Sequence, residues 1–524
     1  MLVRLLVFLS ILFSVQPITA QENREEKIRK VISMPTIGLQ FGIVYDSKDG
    51  ITLQGETKPP KKVRIAHLEN QLTGTPKDAR LLLKLSNLYE DKHKGKQIAS
   101  KALEFAQQQL KRHPQKAESW ILLADCQAGL NQYDRAEKTF QQAVEKFPNE
   151  PECWIGFGQF LGGRSITAYF GGNQNHDFSM NALLSLAMQR RVNPEDKIRG
   201  DKLRTRAKAC FDKAVEVAPN QAKPYTNRAA YRLFHDVLMA TMIGVGEKKK
   251  APPNLKKYMF SPDLIPDLQK AAELSPNDPR TVGIAALFEL FSVHFSETGL
   301  EKGLPEKTKK SLIRAMTQLE AIARQNKKAT RADAFYLQAL FHMFTTQDTA
   351  RCETLLRQAV KADPTHNQSW DLLMSVFYLA KELEKQVEVS EARLKHQDTP
   401  HTRFLAAVAN FSVKKYDRTE IHLNAGLKQD PENVINLMGL AAVLITRSDQ
   451  PGNMARLKPL MKRIETLMAK NDDYIEFTIQ FEGQRAAYLA LTGNADEARK
   501  ILRSLVKDDS DNVEAKALLD ALRP

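Results

Sequence analysis

Three groups of side chains in this chain are of the kinds that chemistry uses. His396, Asp398 and His401 stand together in HQDTPH, where two imidazoles and a carboxylate could ligate a divalent metal. Their spacing matches no fixed ligand geometry and falls in a turn between helical patterns, so they read as loop residues. His176, Asp177, His235 and Asp236 are the imidazoles and carboxylates that would have to converge on one pocket for acid–base catalysis. Arg228, Arg232 and His235, spaced four and three apart, would share one helix face. A fourth stretch, GFGQFLGG at 156–163, invites a nucleotide reading. Leu161 stands where G-x-G-x-x-G needs its third glycine, no strand precedes it, and no G-K-[ST] accompanies it. H-E-x-x-H, G-x-S-x-G and C-x-x-C do not occur. The residues therefore call for no cofactor and no metal, and point away from an enzyme.

The elements that would position these groups are legible in AESWILLADCQAGLNQYDRAEKTFQQAVEKFPNE, residues 117–150. Trp120, Leu123 and Ala124 lie three and four apart, one stripe of a helix; Ala136, Phe140 and Ala143 form the stripe of a second. Small Ala124 and Ala136 let the two backbones approach, and Trp120 and Phe140 are expected to fill the remaining space. Gly129 to Asn131 relaxes the turn, and Pro148 stops the second helix. Trp154 follows Trp120, and Trp370 follows Tyr336, at the same interval, and Asp333 to His366 makes another gapless unit. AVEVAPN, AAELSPN, AVKADPT and GLKQDPEN close helices at Pro219, Pro276, Pro364 and Pro431.

Those residue types at those offsets resemble the tetratricopeptide repeat. The resemblance implies an all-α fold, an α-solenoid of stacked antiparallel helix pairs, with about ten pairs from Val63 to Asn512 and a closing helix. It divides the chain into regular units over 63–150, units with long insertions over 151–332, further units over 333–512, and a capping helix over 513–524. The clamp by which some members of the family hold carboxylate tails is not matched: Ile121 and Asp125 stand at its fifth and ninth positions, and Leu83 and Asn87 in the unit before.

The repeat is broken in the middle. Trp154 to Ala207 is 53 residues instead of 16, and Tyr225 to Leu264 also runs long, which places insertions at 159–200 and 233–262. A long turn at 296–310 follows. Such insertions gather on one face, often the binding face. The net charge of +15 gathers there too: residues 201–330 hold 23 Lys and Arg against 14 Asp and Glu, whereas 331–524 hold 26 against 27. Lys248, Lys249 and Lys250, Lys256 and Lys257, and Lys307, Lys309 and Lys310 contribute to it. Arg228 occupies a position that is normally apolar. Either the register slips there, or Arg228, Arg232 and His235 form a basic strip facing the groove or the insertion.

At the start, MLVRLLVFLSILFSVQPITA has a charged residue, an apolar core and a small-residue end, the pattern of a cleaved export signal over 1–20. Residues 21–62 then carry Leu39–Tyr45 and Ile51–Leu53 around a turn-rich stretch, the pattern of a β-hairpin-like extension. Cys126, Cys153, Cys210 and Cys352 have neither disulfide-framework nor zinc spacing and read as buried thiols. Together these features lead to an exported, periplasmic or extracellular, non-enzymatic scaffold. Its expected partner is a protein or peptide, acidic where it meets the basic segment, or an anionic envelope surface, and not nucleic acid. Arg228, Arg232, His235 and Lys248 to Lys250 are the candidate partner-binding residues. The alternative is an enzyme or enzyme subunit whose site the two insertions cover.

Overall fold

The computed structural model describes residues 42–46, 50–54, 61–89, 92–169, 194–233, 264–294, 304–325, 328–346, 348–470, 477–508 and 512–522. The described chain is helical apart from one antiparallel ladder, β1 (Gly42–Asp46) with β2 (Gly50–Gln54). It forms two compact units, one from the ladder and residues 58–341, the other from His342 onward.

The first unit holds α1 (Lys61–Gly74), α2 (Ala79–Ser86), α3 (Lys92–Arg112), α4 (Ala117–Gly129), α5 (Tyr133–Lys146), α6 (Pro151–Tyr169) and α7 (Pro194–Val217). It continues through α8 (222–233), α9 (Leu264–Leu274), α10 (Pro279–His294), α11 (Glu306–Ala323) and most of α12 (Lys328–Thr345). The second unit runs through α13 (Thr349–Ala362), α14 (Asn367–Leu379), α15 (Leu383–Leu394), α16 (Pro400–Ser412), α17 (Tyr416–Gln429) and α18 (Val434–Thr446). It ends with α19 (Asn453–Lys470), α20 (Thr478–Leu491), α21 (Ala495–Asp508) and α22 (Val513–Ala521). Within each unit most consecutive described helices pack on one another, and where connections are only a few residues long such a pair must run antiparallel.

Two backbone devices recur and explain why the pairs repeat. The first closes the turn inside a pair. Asn131, Lys381, Lys414 and Gly493 have φ of 61, 59, 60 and 90°. The next amide of each donates five residues back: Gln132 to Gln127 at 2.9 Å, Glu382 to Phe377 at 2.8 Å, Lys415 to Asn410 at 2.9 Å and Asn494 to Leu489 at 2.8 Å. This is a Schellman closure, which satisfies a carbonyl the helix end would otherwise leave open. Gly129 serves a different purpose from the turn expected of it. It lies inside α4, and a Cβ there would sit 2.4 Å from Leu83 Cδ1, so it lets α4 approach α2.

The second device joins one pair to the next. The ring N–H of Trp120 donates to the Pro114 carbonyl at 3.0 Å, Trp154 to Pro148 at 2.8 Å, and Trp370 to Pro364 at 3.0 Å. Tyr225 Oη donates to Pro219 at 3.2 Å in the same relation. A side chain from the end of the following pair reaches the same carbonyls: Lys146 Nζ lies 2.9 Å from Pro114 O and Gln397 Nε2 3.3 Å from Pro364 O. Arg463 does this at Pro431, at 2.8 Å.

Packing follows the stripes, with one correction. Ala124, Ala136, Phe140 and Ala143 are fully buried, but Trp120 is only half-buried and packs at the edge of the cluster that Phe140 centres. Its position-specific role is the hydrogen bond to Pro114 rather than core filling. The first insertion also begins later than expected. Helix α6 runs for 19 residues and α7 for 24, so 159–169 and 194–200 are helix. Gly158 lets α6 approach α7, since a Cβ there would meet the Phe211 ring at 2.9 Å. Tyr169, at the far end, hydrogen-bonds Asp201 at 2.6 Å.

All four cysteines are free and buried. Burial pushes the thiols of Cys126, Cys153 and Cys210 up to about 12, and that of Cys352 to about 11. Thiolate is the reactive species, so a thiol-specific disulfide reagent at pH 8 should leave the native protein unmodified and titrate four thiols once guanidinium is added. Rapid labelling of any one in the native protein would place it on the surface.

Candidate interaction surface

Arg228 and Arg232 of the expected basic strip lie on α8. Tyr225 keeps its bond to Pro219 and Ala229 is fully buried, so the register holds through α8. Arg228 instead turns to the next pair, where Nε and Nη2 donate to the two oxygens of Asp267 at 2.9 and 2.6 Å. Its Nη1 reaches Asp212 at 3.0 Å, and Arg232 Nη1 donates to Asp267 at 2.8 Å. Asp267 is 4% exposed. Burial alone would lower the Arg228 guanidinium, but the bonds and charge of Asp267 and Asp212 outweigh it and hold it above its ordinary value. Arg228 and Arg232 are therefore an internal clamp joining α7, α8 and α9, not an open strip for a partner. Two shared carboxylates neutralise them. His235 and Lys248 to Lys250, with His176, Asp177 and Asp236, lie outside the described residues.

The HQDTPH residues do not act as one group. Asp398 takes a bidentate pair from Arg403, at 2.7 and 2.6 Å, and a bond from Gln429 at 2.9 Å. The Arg403 bonds hold its carboxyl below the usual carboxylate range. His396 lies over the Trp370 ring with centroids 6.2 Å apart. Burial, reinforced by the Arg393 charge, pushes His401 down to about 3. Among the described residues no three His, Cys, Asp or Glu side chains are arranged to hold a metal ion. No described helix is long and apolar enough to cross a membrane.

Sequence reasoning missed the most buried ion pair. Arg393, near the end of α15, is 2% exposed and donates from Nη1 to Asp371 of α14 at 2.5 Å and from Nη2 to Asn367 at 2.9 Å. Burial pushes the Asp371 carboxyl up against the opposing pull of Arg393. The signal was available: Asp371 sits one residue after the aromatic Trp370, on a face that is apolar in the next helices.

A second carboxyl raised by burial belongs to Asp125 of α4. Part of its surface is open, yet the surrounding protein raises its carboxyl to about 7, with the Arg80 charge opposing. Because the folded state holds this proton more tightly than the unfolded chain, the group's contribution is complete below about 4 and is lost as pH rises through about 7. Asp125→Asn should remove that dependence and gain stability relative to the parent at pH 8, as followed by thermal melts between pH 4 and 8. Parallel curves for the two proteins would show the carboxyl to be normally ionised.

Several charges cross-link one pair to the next. Arg206 meets Glu137 at 2.7 Å, Lys385 meets Glu353 at 3.3 Å, Lys415 meets Glu384 at 2.7 Å, and Arg447 meets Asp417 at 2.5 Å. Helix α11 differs. Thr308, Leu312, Ala315, Leu319 and Ile322 are buried, while Lys307, Lys310, Arg314 and Thr317 are exposed on the opposite side. Ile313, 66% exposed, stands among them. Lys309 pairs loosely with Glu306, at 3.8 Å, and exposed Glu320 stands two turns after Ile313 on the same side. Lys307, Lys310 and Arg314 have no ion-pair partner among the described residues. The lysines were legible as a basic run; Ile313 and Arg314 emerge only when that run is continued at three- and four-residue steps.

Residues 99–155, which hold α4 and α5 with their two proline clamps, match the family model for the tetratricopeptide repeat. The chain carries the tetratricopeptide repeat. None of the curated protein sequences matches it. Among solved structures it is similar to yeast Tom70, at 14% identity and TM-score 0.38, covering 88% of this chain and 91% of that one. It is also similar to the C-terminal part of a tetratricopeptide repeat-containing protein from Cytophaga hutchinsonii, at 17% identity and TM-score 0.34, covering 51% of this chain and 98% of that one. A third is the tetratricopeptide repeat domain of P58(IPK), at 11% identity and TM-score 0.23, covering 88% and 97%. These are likenesses of low identity and low score, and the repeat rests on the 99–155 match and on the recurring closures.

Proposed function

We propose that this chain is a non-enzymatic scaffold of the cell envelope that holds a peptide or a helix of a partner protein. The observation that supports it most is the repetition itself. Each tetratricopeptide pair spends its buried face on its neighbours and leaves a continuous row of helices, a surface suited to extended or helical ligands. The strongest ionisable groupings that were described, around Asp267 and Asp371, are closed on themselves by arginines, which supports a structural rather than a reactive use. The leader-like segment 1–20 supports export, and the β1–β2 ladder would offer its edge to the partner.

Affinity purification of the full chain from envelope extracts should recover a stoichiometric polypeptide that rebinds the purified protein. Absence of any such polypeptide, with turnover of a small molecule instead, would overturn the reading. Exported protein should begin at Gln21; mature chains that keep Met1 in the membrane fraction would show an uncleaved anchor.

A further inference from the structure

We propose that the exposed face of α11 is a docking surface for an acidic, amphipathic segment of a partner protein. This rests on the scaffold reading and names the surface and its ligand. Three observations carry it. Lys307, Lys310 and Arg314 lie within two turns on the exposed side of α11, and no ion pair holds them among the described residues. Ile313 is among the most exposed large aliphatic side chains described, and it sits between Lys310 and Arg314. The helix is held rigidly from behind, by Leu312 and Leu319 and by a Ser311 hydroxyl bonded to buried Glu289 at 2.7 Å.

A cationic face with an aliphatic centre suits a particular ligand. Carboxylates of a partner segment would answer the lysines and Arg314, and one apolar side chain would cover Ile313. From Lys307 to Thr317 the face is roughly 15 Å long at about 1.5 Å per residue, enough for about three turns of a partner helix. A phosphate backbone has no use for the isoleucine. A bilayer surface calls for a broad apolar face, which one aliphatic residue does not make.

The test is to pan a random helical-peptide library on the full chain and measure the selected peptides by fluorescence anisotropy at several salt concentrations. Lys310→Glu/Arg314→Glu should weaken binding by about tenfold or more and flatten its salt dependence. Ile313→Ser should weaken it without changing that slope. Lys202→Glu/Lys208→Glu, the same charge change on exposed residues of α7, should leave it intact. The selected sequences should be acidic, with apolar residues three or four apart. Thermal melts of each variant separate lost binding from lost folding.

Peptides that bind the α11 reversal as well as the parent, or that carry no net negative charge, would overturn the proposal. So would a reversal that abolishes only binding to phosphatidylglycerol vesicles or to an oligonucleotide. An envelope partner retained equally by the reversed protein would defeat α11 docking and leave the scaffold standing. Loss of every partner, for parent and variants alike, would defeat the scaffold itself.

Discussion

Asp371→Ala is expected to destabilise the second unit by about 3–5 kcal/mol, the usual cost of stripping one member from a buried ion pair. Arg393 is 2% exposed and would keep its charge with only Asn367 to answer it. The cost arises from the orphaned guanidinium more than from the lost attraction. Replacing both, as Asp371→Leu/Arg393→Met, should therefore recover most of the stability, because apolar replacement of a buried pair is often neutral or better. Denaturant unfolding of the three proteins, read by hydrogen exchange in α14 and α15, checks this. A double variant as unstable as the single one would show that the pair contributes its full apparent strength to the fold.

Phe140→Ala should cost about 3–5 kcal/mol as well, from lost burial and the cavity left behind. The Phe140 ring is fully buried, stacks on Phe157 at 5.8 Å between centroids and meets Phe160 at 5.3 Å. Its removal would open the contact between α5 and α6, and stacked repeats pass such damage to their neighbours first. Exchange protection should fall in α4 to α7 before it falls in α2. Trp120→Ala should cost distinctly less, because that ring is half-buried and contributes mainly one hydrogen bond. A larger loss from Trp120 than from Phe140 would reverse the assignment of the core.

Much of the helix pairing is visible in the sequence, because small residues at Ala124, Ala136 and Ala143 and prolines such as Pro114, Pro148, Pro219, Pro276, Pro364 and Pro431 recur after second helices. Less visible is what depends on residues distant in sequence. Asp371 and Arg393 look like unrelated surface charges until α14 and α15 fold back on each other. Arg228 looks like an intrusion on an apolar face until Asp267 is brought against it. Glycines at 156–163 invite a nucleotide reading, yet they lie in a long helix where Gly158 makes room for the Phe211 ring. The cationic face of α11 was half legible: a count of charges finds the lysines, whereas only the helical phase adds Ile313 and Arg314 to the same side.

The proline clamps also bear on how such a chain can change length. Pro114 and Pro148 each accept a bond from a tryptophan six residues on, Trp120 and Trp154. Excising 115–148, one full repeat length, would put Trp154 six residues after Pro114 and restore the same junction. Gain or loss of a whole pair thus needs no new cap and no compensating substitution at the seam. A deletion from 115 that is a few residues shorter or longer would leave the Pro114 carbonyl without its indole. Growth by duplication is built into this joint, which a copied pair would reproduce unchanged.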